Sequence, residues 1–183
     1  MTERALGSDR APIRLRELRP GDDAELLRIH RAPAVARWWG QPADGFPWSD
    51  DPDSRRLVID LDGRVAGLIE YHEETEPRYR HASIDLFLDP SLHGRGLGPQ
   101  ALGLLVRYLI DERGHHRITI DPAASNTAAI RAYEKAGFVR VGVMRDYERD
   151  PDGGGWHDAL LMELVAGAGR SAGPSACGRA KHA

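Results

Sequence analysis

Three glycines at alternate positions, Gly94, Gly96 and Gly98, mark the segment of this 183-residue chain that is best suited to hold a ligand. An apolar, β-prone stretch precedes them at 82–88, and apolar residues recur at helical spacing over 99–112. A strand that leads through a turn into a helix places free backbone amides at the positive end of the helix dipole. Glycine removes the Cβ atoms that would keep a ligand off that backbone. The segment therefore predicts a phosphate or pyrophosphate site.

The stretch 93–98 matches neither of the two standard nucleotide-binding patterns, G-x-x-x-x-G-K-[ST] and a G-x-G-x-x-G that starts at Gly94. It resembles instead the acetyl-CoA loop of the GNAT N-acetyltransferases, Q/R-x-x-G-x-G/A, with His93 at the Gln/Arg position. Gly96 and Gly98 match the two small residues of that pattern. Alone, the motif is also compatible with a strand-to-helix turn that only needs positive φ.

A second segment, 120–138, resembles the other half of the same family's cofactor site. There a strand ends, an Asn follows in the loop, and a helix carries a Tyr ahead of the sequence EKAGF. In this chain Asn126 and Tyr133 take those places, and Gly137 suits the position just past the helix. Ser125 or Asn126 can cap the start of this helix. Both segments, in this order, favour a cofactor site over two unrelated turns.

Three further features narrow the resemblance to the aminoglycoside 6'-N-acetyltransferases. The stretch 30–40 ends in Arg-Trp-Trp-Gly, which is similar to the end of an early helix in that branch. Residues 73–77, Glu-Glu-Thr-Glu-Pro, are similar to its acidic loop before the central strand, although the loop is shorter here. The Asp-Pro at 121–122 matches the Asp-Pro that precedes the Ser-Asn of the branch.

The resemblance implies acetyl-CoA as the cofactor, with coenzyme A as the product. In the family, the glycine loop binds the pyrophosphate, and the preceding strand splays from its neighbour and lends amides to pantetheine and the thioester oxygen. An amide directed at a developing oxyanion acts where charge appears in the transition state. The cofactor contacts that the resemblance implies here are Leu86, Phe87, Leu88, His93, Gly94, Arg95, Gly96, Leu97, Gly98, Pro99, Asn126, Ala129, Tyr133 and Lys135.

Acetyl transfer to an amine requires that the amine lose a proton, since an alkylammonium has a pKa of about 10.4. Asp85, on the central strand, matches the Asp that is given the base role in the 6'-N-acetyltransferases. Glu70, on the preceding strand, is the rival base, and either carboxylate could instead only bind the substrate. Tyr133 matches the residue placed to donate a proton to the leaving thiolate. The predicted catalytic residues are therefore Asp85, Tyr133 and Glu70.

The acceptor is predicted to be a small polycationic amine. Residues 41–89 contain twelve Asp or Glu against five Arg, and a cleft of one sign attracts a ligand of the opposite sign. Solvated acidic loops are the alternative explanation. We expect at least one tryptophan of the Trp-Trp pair to pack in the core. The substrate contacts that the resemblance implies are an aromatic wall of Trp38 and Trp39, with Glu74, Asp85 and Asp121 as charge partners.

The composition fits one globular domain, with 41% hydrophobic and 29% charged residues. A net charge of −3 argues against a nucleic-acid partner. There is no long apolar run and no signal-peptide core near Met1, which predicts a cytoplasmic protein without a membrane segment. The single Cys177 cannot form an internal disulfide, and nothing predicts a metal site. We expect an acetyltransferase domain over 12–166, a disordered 1–11, a flexible 167–183, and a monomer or homodimer.

The remaining pattern predicts an α/β fold, in which helices flank a central mixed and mostly antiparallel sheet. The family resemblance adds splayed central strands that hold acetyl-CoA. Asp62-Gly63 predicts a tight hairpin, and His115 and His116 are interpreted as surface histidines. The predicted strands are 13–18, 57–61, 65–71, 82–88, 116–120, 138–147 and 156–165, and the predicted helices are 20–31, 96–112 and 127–136. The resemblance implies a further helix over 30–40.

Together these features predict an acetyl-CoA-dependent N-acetyltransferase that acts on the 6'-amine of aminoglycoside antibiotics, with resistance as the implied role. One alternative keeps the chemistry and changes the acceptor to a polyamine, a siderophore intermediate or a protein amine. Another is a non-catalytic acetyl-CoA-binding domain that senses the cofactor or pairs with a partner. Asp85, Tyr133 and the acidic cleft argue against this last alternative, because a sensor needs none of them.

Overall fold

A seven-stranded sheet with helices on both faces organises the part of the chain that the computed structural model describes, residues 13–48, 51–151 and 153–167. This confirms the predicted α/β class and mixed sheet. The segments expected to be disordered or flexible, with Cys177, lie outside the described residues except for residue 167. The strands are β1 (Ile13–Glu17), β2 (Ser54–Leu61), β3 (Arg64–Glu74), β4 (His81–Leu88), β5 (Arg117–Ile120), β6 (Val139–Arg149) and β7 (Trp156–Val165). The helices are α1 (Asp22–His30), α2 (Pro33–Trp39), α3 (Leu97–Asp111) and α4 (Thr127–Lys135), with a 3-10 turn at Pro90–Leu92.

The described strands run in the order β1-β2-β3-β4-β5-β7-β6, and the β4–β5 pair alone among them is parallel. Only two residue pairs of the described strands form the β4–β5 ladder, Ala82 with Ile118 and Ser83 with Thr119. The antiparallel pairing of β4 with β3, in contrast, continues to Leu88. The second half of β4 is therefore held on one edge only, and the two central strands diverge as predicted.

The divergence follows from what happens at the end of β5. Pro122 cannot donate a backbone hydrogen bond, so a strand cannot continue through it in the middle of a sheet. From there the chain follows β7, since Leu160 donates its N–H to the Pro122 carbonyl at 2.8 Å and Ala123 forms a bridge with Ala159. A gap is left between β4 and the segment that follows β5.

Each face of the sheet carries its own apolar cluster. Helix α3 covers one face with Leu102, Leu105 and Leu109, which belong to the same cluster as Ile84 of β4. Side chains alternate between the two faces along a strand, so Phe87 of β4 belongs to the other cluster. That second cluster lies under α1 and α2 and contains Leu26, Ile29, Val35, Val58, Leu68 and Phe87. Strand β4, which carries Asp85, is therefore fixed from both sides.

A buried ion-pair cluster fixes the start of α1. Arg16 of β1 lies 2.7 Å from Asp22 and 2.9 Å from Asp60. The hydrogen bond from Arg16 holds the pKa of Asp22 below its ordinary value. Gly21, just before the helix, has a φ of 98°, a conformation that glycine adopts without strain. The orientation of α1 over the sheet is set by this cluster.

Two expectations about the far end of β3 are wrong. Residues 73 and 74 lie within β3, not in an acidic loop, because the β3–β4 ladder extends to that point. Glu73 is an internal partner, 2.9 Å from Arg113 and 2.7 Å from His115. His115 is therefore buried, not a surface histidine, whereas His116 is exposed.

The described helices are short. The longest of them is α3, with 15 residues. No helix within the described ranges combines the length and the apolar character that spanning a membrane would require.

Candidate active site

The turn between β4 and α3 is built from glycines in the left-handed conformation. Gly94 and Gly96 have φ angles of 76° and 75°, which would strain a residue with a side chain. A Cβ placed on either would meet no atom within 4 Å, so the space beside the loop is open. Gly98 lies in the first turn of α3, where a Cβ would meet Leu88 Cδ1 at 3.7 Å, an ordinary contact. The loop presents bare backbone at a helix N-terminus, which is the setting that binds phosphate groups.

His93 ties this loop to the end of β4. Its Nε2 lies 3.2 Å from the carbonyl oxygen of Leu88. When a neutral imidazole donates from one ring nitrogen, the other is an acceptor. The side chain at the family's Gln/Arg position is thus engaged within the protein, and the backbone amides are the donors that remain for an anion.

The gap between the central strands exposes one edge of β4. Asp89 donates its N–H to Ala66 of β3 at 2.8 Å. Because backbone groups alternate between the two edges of a strand, those of Leu86 and Leu88 face away from β3. They point to the side from which β5 has diverged. The N–H groups of both residues and the carbonyl of Leu86 can hydrogen-bond an extended ligand that lies in the gap, whereas the Leu88 carbonyl already has His93 beside it.

Helix α4 forms the opposite side of the gap. Asn126 caps the helix, since its Oδ1 accepts the N–H of Ala129 at 3.2 Å, which confirms the predicted cap. Tyr133 is half-buried on the same side, where its ring lies 6.4 Å from that of Phe138. Lys135 ends the helix. A glycine loop, a bare strand edge and a capped helix therefore surround one space.

That space is a cavity of about 690 Å³. Four of the predicted site residues, Arg95, Asp85, Glu70 and Glu74, are not part of its lining within the described chain. The lining residues that the sequence did not single out include two charged ones, Arg131 and Glu148. The predicted residues that line the cavity are Trp38, Trp39, Leu86, Phe87, Leu88, His93, Gly94, Gly96, Leu97, Gly98, Pro99, Asp121, Asn126, Ala129, Tyr133 and Lys135.

Asp85 lies on β4 directly before the backbone edge that faces the gap. Its side chain is exposed to the cleft. Desolvation by the protein around the cleft, together with the negative charges of Asp121, Glu70 and Glu148, raises the pKa of Asp85 from 3.8 to about 7. A carboxyl group with such a pKa can take up and release a proton at neutral pH.

Glu70 is the neighbour of Asp85 across the β3–β4 ladder. Arg56 of β2 donates its Nε–H to Glu70 Oε2 at 2.7 Å, and both side chains are largely shielded from solvent. Because a guanidinium already occupies that oxygen, Glu70 is less free than Asp85 to take a proton from a substrate. The geometry favours Asp85 between the two predicted bases.

Tyr133 is suited to hold a proton. Burial raises the pKa of Tyr133 above its ordinary value, and the negative charges of Asp85 and Asp121 raise it further. The phenol therefore stays protonated at neutral pH and can donate a hydrogen bond or a proton. A carboxyl group on β4 and a protonated phenol on α4 thus lie near the same gap.

Glu148 of β6 lines the cavity, and its neighbour Tyr147 lies near Asp121; the sequence analysis singled out neither residue. The β6–β7 register shifts just before Glu148, and Asp146 adopts a positive φ of 47°. Bulges of this kind re-aim the side chains that follow them. The negative charge of the nearby Asp121 raises the pKa of Tyr147. Two successive charged residues, Arg145 and Asp146, inside a β-prone run are the signal that could have indicated the bulge.

Helix α2 presents the two tryptophans to the cavity. Trp39 packs edge-on against Phe87, with the ring centroids 5.1 Å apart, and joins the α1/α2 cluster. Trp38 lies beside Arg37, whose guanidinium carbon is 4.3 Å from the ring centroid. Trp39 therefore packs against a core cluster, as expected for one of the pair, and both tryptophans belong to the cavity wall.

Much of the acidic excess of residues 41–89 is neutralised inside the protein. Glu74 accepts a backbone N–H from Glu76 at 2.8 Å, at the far end of β3, so the structure does not bring it to the cavity. Arginine partners hold four other acids of this region, Asp60, Glu70, Glu73 and Asp89. Asp121 and Glu148 line the cavity, and Asp85 lies close enough to both for their charges to act on it; these three carboxylates are called the acidic group below.

Known proteins share the sequence pattern. The profile described as the acetyltransferase (GNAT) family matches residues 23–138. A mycothiol acetyltransferase from Salinispora arenicola is 34% identical over 149 residues, which cover 75% of this chain and 48% of that protein. The spermidine N(1)-acetyltransferase of Escherichia coli is 28% identical over 134 residues, 67% of this chain and 72% of that protein. The aminoglycoside N(6')-acetyltransferase type 1 of Klebsiella pneumoniae is 42% identical over 84 residues, 45% of this chain and 39% of that protein.

A solved structure shares the fold. The aminoglycoside acetyltransferase AAC(6')-Ib, in complex with paromomycin and acetyl-CoA, superposes with a TM-score of 0.70 at 27% sequence identity. The alignment covers 85% of this chain and 94% of that chain. In contrast, the chain spans about half the length of the mycothiol acetyltransferase that it matches.

Proposed function

Since the chain belongs to the acetyltransferase (GNAT) family, we propose that it transfers an acetyl group from acetyl-CoA to a primary amine of a small polycationic molecule. The acceptor that the relatives and the cavity favour is the 6'-amine of an aminoglycoside. The observation that carries this proposal is the position of the acidic group, which lies beside both the free edge of β4 and the phenol of Tyr133. An ammonium group would be attracted there and would meet a proton acceptor.

The residues present fit acetyl-CoA. The glycine loop offers bare backbone amides to a pyrophosphate, and no protein atom fills the space beside Gly94 and Gly96. Arg131 and Lys135 add positive charge to the cavity wall. Acetyl-CoA, when bound, supplies an activated acetyl thioester. The backbone groups of Leu86 and Leu88 would hold its extended part in the gap.

Two side chains are proposed to move protons. Asp85 accepts a proton from the acceptor ammonium at its carboxylate, which the pKa of about 7 allows near neutral pH. Tyr133 keeps its proton on the phenolic oxygen and donates it to the leaving group. Holding the two substrates in one cleft supplies a further part of the rate enhancement. Asp85 and Tyr133 are thus the proposed catalytic residues, with Glu70 as an ion-paired neighbour.

Acceptor binding is proposed to use charge and an aromatic wall. Asp121 and Glu148 stand on the cavity wall beside Asp85, so the acidic group suits an acceptor with more than one ammonium. Trp38 offers a flat apolar surface at the same cavity. A linear polyamine is the second candidate acceptor, because the spermidine acetyltransferase relative aligns over two thirds of the chain.

The deciding experiment is a coenzyme A release assay with acetyl-CoA across a panel of amines. The panel should contain an aminoglycoside with a 6'-amine, one with a 6'-hydroxyl, spermidine, and a neutral amine. Turnover of only the 6'-amino compound would support the proposal, and kcat/KM should fall as salt is added because a screened acidic cleft attracts cations less. Turnover of a neutral amine without any aminoglycoside activity would contradict it.

The role of Glu148 is tested by Glu148→Gln. We expect the KM for the amine to rise about fivefold, the loss typical of a partly exposed charge pair worth ~1 kcal/mol, with kcat little changed. Steady-state kinetics at low ionic strength is the measurement. Glu134→Gln, on the outer side of α4 beside Arg140, is the matched control and should leave KM unchanged. An unchanged KM in Glu148→Gln would remove Glu148 from the acceptor site.

The role of Tyr133 is tested by Tyr133→Phe, which removes only the hydroxyl. We expect kcat to fall about 10²-fold, as for the loss of a general acid, with little change in acetyl-CoA affinity. Single-turnover kinetics and calorimetric titration separate the two quantities. Tyr79→Phe removes a hydroxyl from an exposed side chain and serves as the control. A wild-type kcat in Tyr133→Phe would exclude a proton-donor role.

A further inference from the structure

Three charged side chains, one positive and two negative, lie in one row across neighbouring strands of the sheet. Arg56 of β2 is in register with Glu70 of β3, and Glu70 is in register with Asp85 of β4. Residues directly opposite each other on antiparallel strands have Cβ atoms about 4.5–5.5 Å apart. Arg56 closes this row with the 2.7 Å bond from its Nε to Glu70. The positive end of the row thus lies two strands away from the proposed base.

The same guanidinium holds a turn on the acceptor side. Its Nη1 donates to the carbonyls of Pro47 and Trp48 at 3.1 and 3.2 Å. The guanidinium carbon lies 5.6 Å from the centre of the Phe46 ring. Within the turn, Phe46 donates its N–H to Ala43. One side chain therefore fixes residues 43–48 to the strand row.

The turn 43–48 packs behind the aromatic wall of the cavity. The Phe46 ring lies 4.9 Å from the ring of His30 and 6.4 Å from that of Phe87. Phe87 and Trp39 line the cavity and pack against each other at 5.1 Å. A displacement of the turn would therefore reach the aromatic wall through direct ring contacts.

We propose that Arg56 is a positioning residue of the acceptor site: it holds Glu70 in an ion pair, so that Asp85 is the carboxylate left to take the amine's proton, and it fixes the turn 43–48 behind the aromatic wall. This inference rests on the proposed function. Arg56 does not line the cavity, but this one side chain contacts both the charge row and the turn behind the aromatic wall. Its removal should therefore alter both.

The loss of the Arg56 charge should shift the titration of Asp85 in one direction only. The titratable groups that face Asp85 come from several elements: Glu70 of β3, Asp121 after β5, Tyr133 of α4, and Tyr147 and Glu148 of β6. Without Arg56, the charge of Glu70 beside Asp85 is uncompensated, and a nearby like charge disfavours ionisation. Asp85 should then lose its proton only at higher pH. Because a base must be deprotonated to act, the acid limb of kcat/KM should move upward as well.

The test uses Arg56→Met, Arg56→Lys and the double variant Arg56→Met/Glu70→Gln, with Arg55→Met as control. Arg55 is an exposed neighbour on β2 that bonds only local carbonyls, those of Pro52 and Ser54, in the described structure. Carboxyl ¹³C NMR titration of the free protein, assigned with Asp85→Asn, reports the protonation of Asp85. Hydrogen exchange of the peptide that contains 43–48 reports the turn. Neither readout depends on turnover.

In Arg56→Met we expect the midpoint of the Asp85 titration and the acid limb of kcat/KM to move upward by about one pH unit. Hydrogen exchange in 43–48 should accelerate, and the KM for the amine should increase. In the double variant the titration should return to its wild-type position while exchange stays fast. Arg56→Lys should keep the titration and lose the turn, because an ammonium lacks the fork that reaches three acceptors at once. Arg55→Met should change neither.

An Asp85 titration that does not move in Arg56→Met would overturn the charge role, and unchanged exchange would overturn the turn role. If Arg56→Met does not fold, Arg56→Lys and the double variant decide the same two questions. Failure of the proposed function is seen separately, as wild-type protein without turnover of any amine. In that case the titration and the exchange still test Arg56.

Discussion

Asp85→Asn is expected to lower kcat by about 10²–10⁴-fold, the contribution typical of a general base. The substitution keeps the shape of the side chain and removes the carboxylate that accepts the proton. In the wild type, kcat/KM should fall as the pH drops through about 7, because protonation of Asp85 removes the base. That acid limb should be absent from the residual activity of Asp85→Asn. Steady-state kinetics over a range of pH is the measurement.

Two controls separate this loss from unfolding and from a role in binding only. A carboxyl whose pKa is raised by folding costs stability once the pH exceeds its unfolded value of about 3.9, and the cost is complete above the folded value. Asp85→Asn should therefore be at least as thermally stable as the wild type at pH 8. Glu70→Gln should keep most of kcat and mainly raise KM. If instead Asp85→Asn were active and Glu70→Gln inactive, the base role would pass to Glu70.

Gly98→Val is expected to weaken acetyl-CoA binding by at least about 100-fold, or ~2.8 kcal/mol, while the protein stays folded. A Cβ at this position makes an ordinary 3.7 Å contact with Leu88, so the protein itself can accept it. The added atoms would instead occupy the space through which a pyrophosphate approaches the helix N-terminus. Calorimetric titration with acetyl-CoA measures the loss, and circular dichroism measures the fold.

Gly103→Val provides the matched control on the same helix. Its Cβ would meet only the flexible end of Arg107 within 4 Å, at 3.6 Å, and residue 103 does not line the cavity. Acetyl-CoA affinity should be unchanged there. Gly96→Val should also abolish binding, but its φ of 75° adds backbone strain to the steric effect. Wild-type affinity in a folded Gly98→Val protein would refute the pyrophosphate assignment.

Where a few consecutive residues restrict the backbone, the sequence alone was sufficient. Asp62 and Gly63 adopt φ angles of 52° and 81°, the two positive values that a tight hairpin needs, as their types predicted. Asn126 caps α4 through its own side chain. The glycine loop follows its strand and opens its helix at the expected place. These features depend on steric limits and hydrogen bonds that act over fewer than about five residues, so residue type determines them.

The proton chemistry could only be assigned from the tertiary structure. Whether Glu70 or Asp85 is the freer carboxylate depends on Arg56, fourteen positions from Glu70 and on another strand. The sequence could name both carboxylates but could not give the strand register that pairs one of them. His115 was misjudged for the same reason, because its partner Glu73 lies 42 positions away.

The acidic group shows most directly what only the tertiary structure decided. The sequence identified Asp85 and Asp121 through motifs, but Glu148 reaches the cavity through an irregularity in β6. Between Met144 and Glu148 the register advances four residues on β6 but only two on β7, and propensity does not reveal such an irregularity. The pKa of Asp85 depends on desolvation by the surrounding protein and on charges from separate elements. Desolvation and Coulomb energy depend on distances in space, so they are fixed only when those elements are packed together.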